Sequence, residues 1–318
     1  MTSAGCMLSR RMKRVIKTWG LMISFIVGAI FPGLHVLVPA MPYLVGAMLT
    51  ITLVGMELQE LRPQWRHGTI VLLNLVMGLV PWALLKSLGY EEYAEAAFFA
   101  GLVGEAASAP VIVSMLGGKS EFAAVGLAIN SAFASISIPL LVPFIIVPYG
   151  GGEISRLEVF HAVLEHVAAM LLVPCLLAVV LRRFYKRAKA MAHKLSGVSL
   201  AFWLCCMSMV SAMGVTRVSD TGATWQEIAP YATVVVVMCI IGFAVGRKIG
   251  GREYALECGQ CLGQKNATVG IYLALCYASP LVFLGPTLYL LCQHMFNTWQ
   301  MALYNRRESL AREPARSK

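Results

Sequence analysis

Lys265 is the residue that first demands an account. It lies in "ECGQCLGQKNATVGIYLAL", Glu257 to Leu275, beside Gln264, Asn266 and Thr268, in a run long enough to cross a hydrocarbon core. An ammonium set among amides and a hydroxyl can anchor an anion, replace the charge of a bound cation or carry a proton. A second stretch, "FAGLVGEAASAPVIVSMLGG", Phe99 to Gly118, offers Glu105 and Ser108 in equally apolar surroundings. A lipid-exposed ionised side chain at the bilayer centre costs from a few to more than ~10 kcal/mol, so both charges are expected to face an interior cavity and find partners. Glu105 is the expected counter-ion of Lys265, with Gln264, Asn266, Thr268 and Ser108 lining the same polar site. The competing expectation is a purely structural Glu105–Lys265 bridge that pins two helices.

Weaker clusters surround this pair. Glu257 shares a helix face with Cys261 and Lys265 and is the second candidate partner for the lysine. Gln293, Asn297 and Gln300 recur at helical spacing with His294 beside them, and Asn130, Ser131, Ser135 and Ser137 do the same elsewhere. Such stripes are either helix–helix contacts or cavity walls. "HAVLEH", with His161, Glu165 and His166, misses the zinc-protease patterns and reads as an interfacial hydrogen-bonding pair. Nine cysteines give no disulfide framework, because all but Cys6 fall in apolar runs; Cys258 and Cys261 read as small packing residues. No nucleophile–base or metal constellation is present, so neither an enzyme nor a metal or organic cofactor is expected.

The elements that must position these residues are membrane helices. Of 318 residues, 58% are hydrophobic and 13% charged, with a mean hydropathy of +0.72. That is too greasy for a soluble protein of this size, and no long alternating pattern suggests a barrel. Ten spans are expected, at 17–37, 41–58, 69–88, 93–116, 122–148, 157–181, 196–215, 228–247, 253–278 and 281–303. With these spans, 22 of the 26 Lys and Arg residues fall on one side, and only Lys86, Arg156 and Arg217 on the other. Lys265 is left over. The split puts both termini in the cytoplasm and explains the net charge of +10 without a nucleic-acid partner. "LSRRMKR" resembles a signal-peptide start, yet no small-residue cleavage site follows, so a first membrane helix is expected. The organisation is a tail at 1–16, one five-helix repeat at 17–148, a second at 157–303 and a tail at 304–318, expected to be disordered or to lie on the lipid surface.

An odd number of crossings per half inverts the second half relative to the first, as in many secondary transporters. The fourth span of each half carries breakers: Gly101, Gly104 and Pro110 in one, Gly259, Gly263 and Gly270 in the other. Glu105 is twelve residues in from Tyr93, and Lys265 twelve in from Glu253. At ~1.5 Å per residue each lies ~18 Å deep, near the bilayer midplane from opposite faces. Unwound backbone at that depth supplies free N–H and C=O groups, and half-helix N-termini favour anions.

On "VGMEL", "APVIVSMLGGKSEFAAVGLAINSAFASISIPLLVPF" and "GQKNATVGIYLAL", the chain resembles the bile acid:sodium symporter superfamily over nearly its whole length. The resemblance implies an all-α membrane fold whose broken spans four and nine cross at mid-membrane. They lie in a core of spans three to five and eight to ten, which moves against a panel of the rest. It also implies import of a small organic anion, commonly with sodium. Where the family carries Pro-Gly-Gly-x-x-Ser-Asn, "GEAASAP" puts Ala109 and Pro110 at the Ser-Asn pair. Where it carries Glu-x-Gly-x-Gln-Asn, "CLGQKN" puts Cys261, Lys265 and Asn266. Ser131 and Ser135 match its hydroxyls. Most sodium ligands are thus replaced and an ammonium stands where one would be, so sodium-independent transport is expected, with proton coupling open. "GQCLGQKN" resembles a divergent bacterial branch, which implies the inner membrane of a bacterium.

Overall fold

The computed structural model describes residue 20 and residues 22–55, 62–146 and 155–312. The N-terminal tail, Met56–Leu58 of "VGMEL", the end of the fifth expected span and residues 313–318 lie outside the described residues. Those described form helices, with one isolated β-bridge and no strand. In chain order they are α1 (22–30), a 3-10 segment (Pro32–Ala40), α2 (Met41–Gly55), α3 (Trp65–Ser87), α4 (Glu91–Leu102), α5 (Ala109–Met115) and α6 (Ser120–Ile145). The chain continues as α7 (Arg156–Val167), a π-helical turn (Ala168–Leu172), α8 (Val173–Phe184), α9 (Ala188–Thr221), α10 (Trp225–Gly250), α11 (Ala255–Gly263), α12 (Ala267–Tyr277) and α13 (Leu284–Arg312). Among the described residues six segments are each long and apolar enough to cross a membrane: Pro32–Gly55, α3, α6, α7 through α8, α9 and α10.

Several boundaries differ from expectation for identifiable reasons. The first helix ends at residue 30 and not at 37, because Pro32 has no N–H to continue the ladder and opens the 3-10 segment instead. The basic stretch 182–194 is mostly helix, since Ala188–Ser196 holds good helix formers and no breaker until Gly197, which α9 absorbs. The final helix runs to Arg312, well into the segment expected to be disordered or to lie on the lipid surface. Its Arg, Glu, Leu and Ala residues favour helix, and Pro314 is the first breaker. Between α7 and α8, Pro174 removes a backbone donor, and the turn before it widens to π.

Both expected interruptions are present. After Leu102 the backbone turns extended at Val103 (φ −59°, ψ 135°), and Pro110 opens α5, where a missing N–H costs nothing. After Gly263 the chain is extended at Gln264 (φ −93°, ψ 118°) before α12 starts at Ala267. A buried cluster packs around these breaks from α3, α4, α6, α10 and α11, including Ile70, Ala97, Phe122, Val235, Phe243 and Leu262. Elsewhere α2 packs on α8 and α9, and the 3-10 segment on α9.

The helices that hold the breaks touch backbone to backbone. At Gly285 of α13 a Cβ would stand 2.6 Å from the Ala96 carbonyl oxygen and 2.7 Å from the Ala96 Cβ of α4. Gly285→Val is therefore expected to cost about 1–3 kcal/mol through overpacking. A lowered melting temperature of the detergent-purified chain should report it, while Gly197→Ala, which meets nothing within 4 Å and replaces a poor helix former inside α9, should leave that temperature unchanged or slightly raised.

Candidate functional site

The two interruptions meet. Ala106 N–H donates to the Gln264 carbonyl at 3.1 Å, and Asn266 N–H to the Gly104 carbonyl at 2.8 Å, so Glu105 and Lys265 oppose each other in a short antiparallel bridge. Each break thereby satisfies backbone groups that the helices have released and that have no water to turn to. Gln293 of α13 completes the arrangement. Its Oε1 accepts from Lys265 N–H at 2.8 Å and its Nε2 donates to the Lys265 carbonyl at 3.2 Å, as an added strand would do. Tyr289 Oη donates to the Gly263 carbonyl at 2.9 Å.

The side chains diverge where the backbones meet. Lys265 is 1% exposed, and its Nζ donates to Asn74 Oδ1 on α3. Asn74 Nδ2 in turn donates to Asn130 Oδ1 at 2.6 Å, and Asn130 Nδ2 to the Gly126 carbonyl at 2.9 Å. Glu105, also 1% exposed, points instead to α6 and α11, and neither carboxylate oxygen has a hydrogen-bond partner. A Cβ at Gly126 would meet its Oε2 at 2.6 Å and Cys261 Sγ at 3.1 Å. The expected Glu105–Lys265 ion pair does not form: the ammonium is spent on an amide.

A second polar chain runs beside the bridge. Ser108 Oγ donates to Gln264 Oε1 at 2.9 Å, Gln264 Nε2 to Gln260 Oε1, and Gln260 Nε2 to Gln300 Oε1 at 2.5 Å. Ser108 is exposed whereas Gln264 and Gln260 are fully buried, so this chain leads from the surface of the fold to the bridge. Asn266 is half-buried and Thr268 buried next to it.

Other expected site residues are placed elsewhere. Glu257 does not reach Lys265; its Oε1 accepts the Lys119 N–H at 2.7 Å and so ties down the α5–α6 turn. Ser131 and Ser135 are buried on α6, where Ser135 Oγ donates to the Ser131 carbonyl at 2.8 Å. His294 Nδ1 bonds its own helix at the Leu290 carbonyl, and the ring stacks on Trp203. Asn297 is buried with an unpartnered Oδ1. Beyond the α5–α6 turn, Lys119 pairs with Glu253 at 3.1 Å, and that hydrogen bond holds the exposed ammonium above its ordinary value.

Asn74 and Gln260 were not anticipated. Asn74 carried a usable signal, as the lone amide in the run "IVLLNLVM" of the third span, where a polar group needs an interior partner. Gln260 stood in the quoted motif but gave no hint of its bond to Gln300. Among the described residues no group of three His, Cys, Asp or Glu is placed to hold a metal ion. Fixed charge, relayed amides and one unpartnered acid suit the binding of a polar solute, and the acid suits a proton.

Comparison with known proteins adds one match. The model of the Sodium Bile acid symporter family matches residues 41–221, which include Asn74, Glu105, Ser108 and Asn130 but stop short of Lys265. No curated protein sequence matches the chain.

The Lys265–Asn74 bond has a measurable consequence. Asn74→Leu leaves a buried ammonium without its acceptor and is expected to destabilise the chain by about 3–5 kcal/mol. Lys265→Met should cost less, and the double variant should recover most of the loss. A double-mutant cycle on unfolding in detergent measures the coupling.

Proposed function

Since the chain belongs to the sodium bile acid symporter family, whose members are transporters rather than enzymes, we propose that it carries a small organic anion across the membrane by alternating access. Its apolar helices and family make it a multi-pass integral membrane protein. In the proposed arrangement ten spans form two inverted repeats of five, at 17–148 and 157–303. The two breaks cross at mid-bilayer, and both termini face the cytoplasm of a bacterium. The substrate site is the crossing, with Lys265 as the charge that draws the anion, Glu105 as the acid opposite it, and Gln264, Asn266, Thr268 and Ser108 as liners.

One observation carries this proposal. Two unwound segments pair at the bridge, and an exposed hydroxyl, Ser108, is hydrogen-bonded into a buried amide chain beside it. A helix pair that served only as scaffold gains nothing from two interruptions at one depth, since unwound backbone is tolerated in a membrane where it is buried in protein or lines a cavity. The alternative of a locked Glu105–Lys265 bridge lacks its central bond, because the ammonium donates to Asn74. Sodium coupling through a rearranged site is the remaining alternative. The substitutions Ala109, Pro110 and Cys261 weigh against it, for none offers a hard oxygen ligand from its side chain.

A substrate-independent experiment tests the mechanism. In a chain with Cys6, Cys205 and Cys276 replaced, Ser108→Cys should react with a membrane-impermeant thiol reagent from either side of the membrane, in proportions that change with conditions. Labelling confined to one side under all conditions overturns alternating access. For any anion that accumulates in proteoliposomes from a panel of labelled carboxylates and sulfonates, taurocholate included, uptake should persist when choline replaces sodium. Collapse of that uptake establishes the sodium-coupled alternative.

A further inference from the structure

A carboxylic acid is enclosed at Glu105 without an ion pair among the described residues. It is 1% exposed, its oxygens meet no N–H or O–H donor and have only the Cys261 thiol beside them, and the nearest ammonium is turned toward Asn74. The titratable groups facing it include Cys261 and Cys258 of α11 and Lys265 of the second break, and α6 presents Gly126 to it. An ionised carboxylate in such a place forfeits several kcal/mol of hydration even after relaxation. A protonated one loses far less, because only a neutral polar group is desolvated. The side chain beside it, Cys261, offers sulfur and not the oxygen ligands that hard metal ions take.

A recess lies near the acid. A cavity of about 330 Å³ opens between the start of α3, the start of α6 and the α10–α11 turn, lined by Arg62, Gln64, Lys119, Glu121, Phe122, Val125 and Tyr254. Phe122 lines it, its ring stacked on His67 at 4.0 Å and tilted against Tyr254 at 4.6 Å. One helical turn further along α6, about 6 Å at 1.5 Å per residue, is Gly126, against which Glu105 lies. His67 Nε2 lies 3.1 Å from the Phe122 carbonyl, so an ionisable ring borders the same layer.

We propose that Glu105 is a proton-binding site, filled from the cavity between α3, α6 and the α10–α11 turn through the Phe122–Gly126 face of α6. Loading makes one O–H bond on Oε1 or Oε2, and water or a buffer acid on the cavity side gives up the proton; unloading returns it to solvent. This site rests on the transporter reading only for its role, which is to supply an exchangeable charge beside the tethered amine of Lys265.

Infrared spectroscopy of the full chain in lipid nanodiscs tests the binding itself. At neutral pH the difference between the wild type and Glu105→Gln should contain a protonated-carboxyl C=O band; no such band means an ionised Glu105 and overturns the proposal. Should Glu105→Gln fail to fold, Gly126→Ala serves, because its methyl crowds Oε2 and must shift the same band; an unmoved spectrum again overturns it. In D₂O, filling the cavity with Val125→Trp should slow exchange of that carboxyl proton at least tenfold, and an unchanged rate overturns the route. The role is read by labelling of Ser108→Cys. Its inside-to-outside ratio should vary with pH and lose that dependence in Glu105→Gln, whereas an unaltered dependence shows that Glu105 does not drive the change. If labelling never alternates, the transporter reading fails while the infrared band still stands, so the two failures are distinguishable.

Discussion

Everything at the centre of this protein follows from one constraint: polypeptide that leaves the helix inside a membrane must find hydrogen bonds from polypeptide. Two interrupted helices solve this jointly. The N–H of Ala106 and the N–H of Asn266 each find a carbonyl of the opposite break, and Gln293 supplies the missing edge on the Lys265 side. Neither break is tenable without the other, so the crossing fixes the relative position of α4, α5, α11, α12 and α13. The close glycine contacts of α10 on α11, at Gly246 and Gly250, then allow the supporting helices to approach it.

The backbone bridge also decides where the charges go. In an antiparallel pair directly opposed residues can place their side chains on the same side, and a Glu–Lys pair there looks made to bond. The packing instead offers each side chain something different. Asn74 presents a carbonyl oxygen to the ammonium, while Gly126 and Cys261 leave a space for the carboxylate. The amide relay from Lys265 through Asn74 and Asn130 to the Gly126 carbonyl ends on the very residue that Glu105 leans against. Acid and base are therefore linked through α3 and α6, not by direct contact, and a shift of either helix changes the setting of both.

This explains which parts of the site were legible in the sequence. The breaks were, because Gly104, Pro110 and Gly263 act on the local backbone, and Glu105 and Lys265 stood out because charge in an apolar run is costly. The meeting of the two was also legible, from equal depth measured from opposite faces. The side-chain partners were not. Equal depth says nothing of direction around the helix axis, so Glu105 was assigned to Lys265, and Glu257 was read as its reserve when it secures the Lys119 turn. Helix ends were misjudged where hydropathy fades but helix propensity does not, as at Ala188–Ser196 and beyond Tyr304.

A tethered ammonium differs from a bound ion in one thermodynamic respect: its nitrogen cannot leave, so its charge exchanges with the solution only when the amine gains or loses a proton. While it stays protonated, its attraction for an anion is present whichever way the site faces, and an interaction equal in two states shifts no balance between them. A permanently charged Lys265 can therefore supply affinity, and it can relieve the protein of binding a cation for that purpose, but it cannot in that state make transport uphill. Accumulation requires a charge that is loaded on one side and unloaded on the other. Among the charges gathered at this crossing, Lys265 is held by Asn74, Glu257 holds a turn, and Lys119 and Glu253 neutralise each other at the rim. Glu105 is enclosed with a thiol beside it and lies about one helical turn from a recess, which makes it the proposed carrier of an exchangeable proton at the crossing.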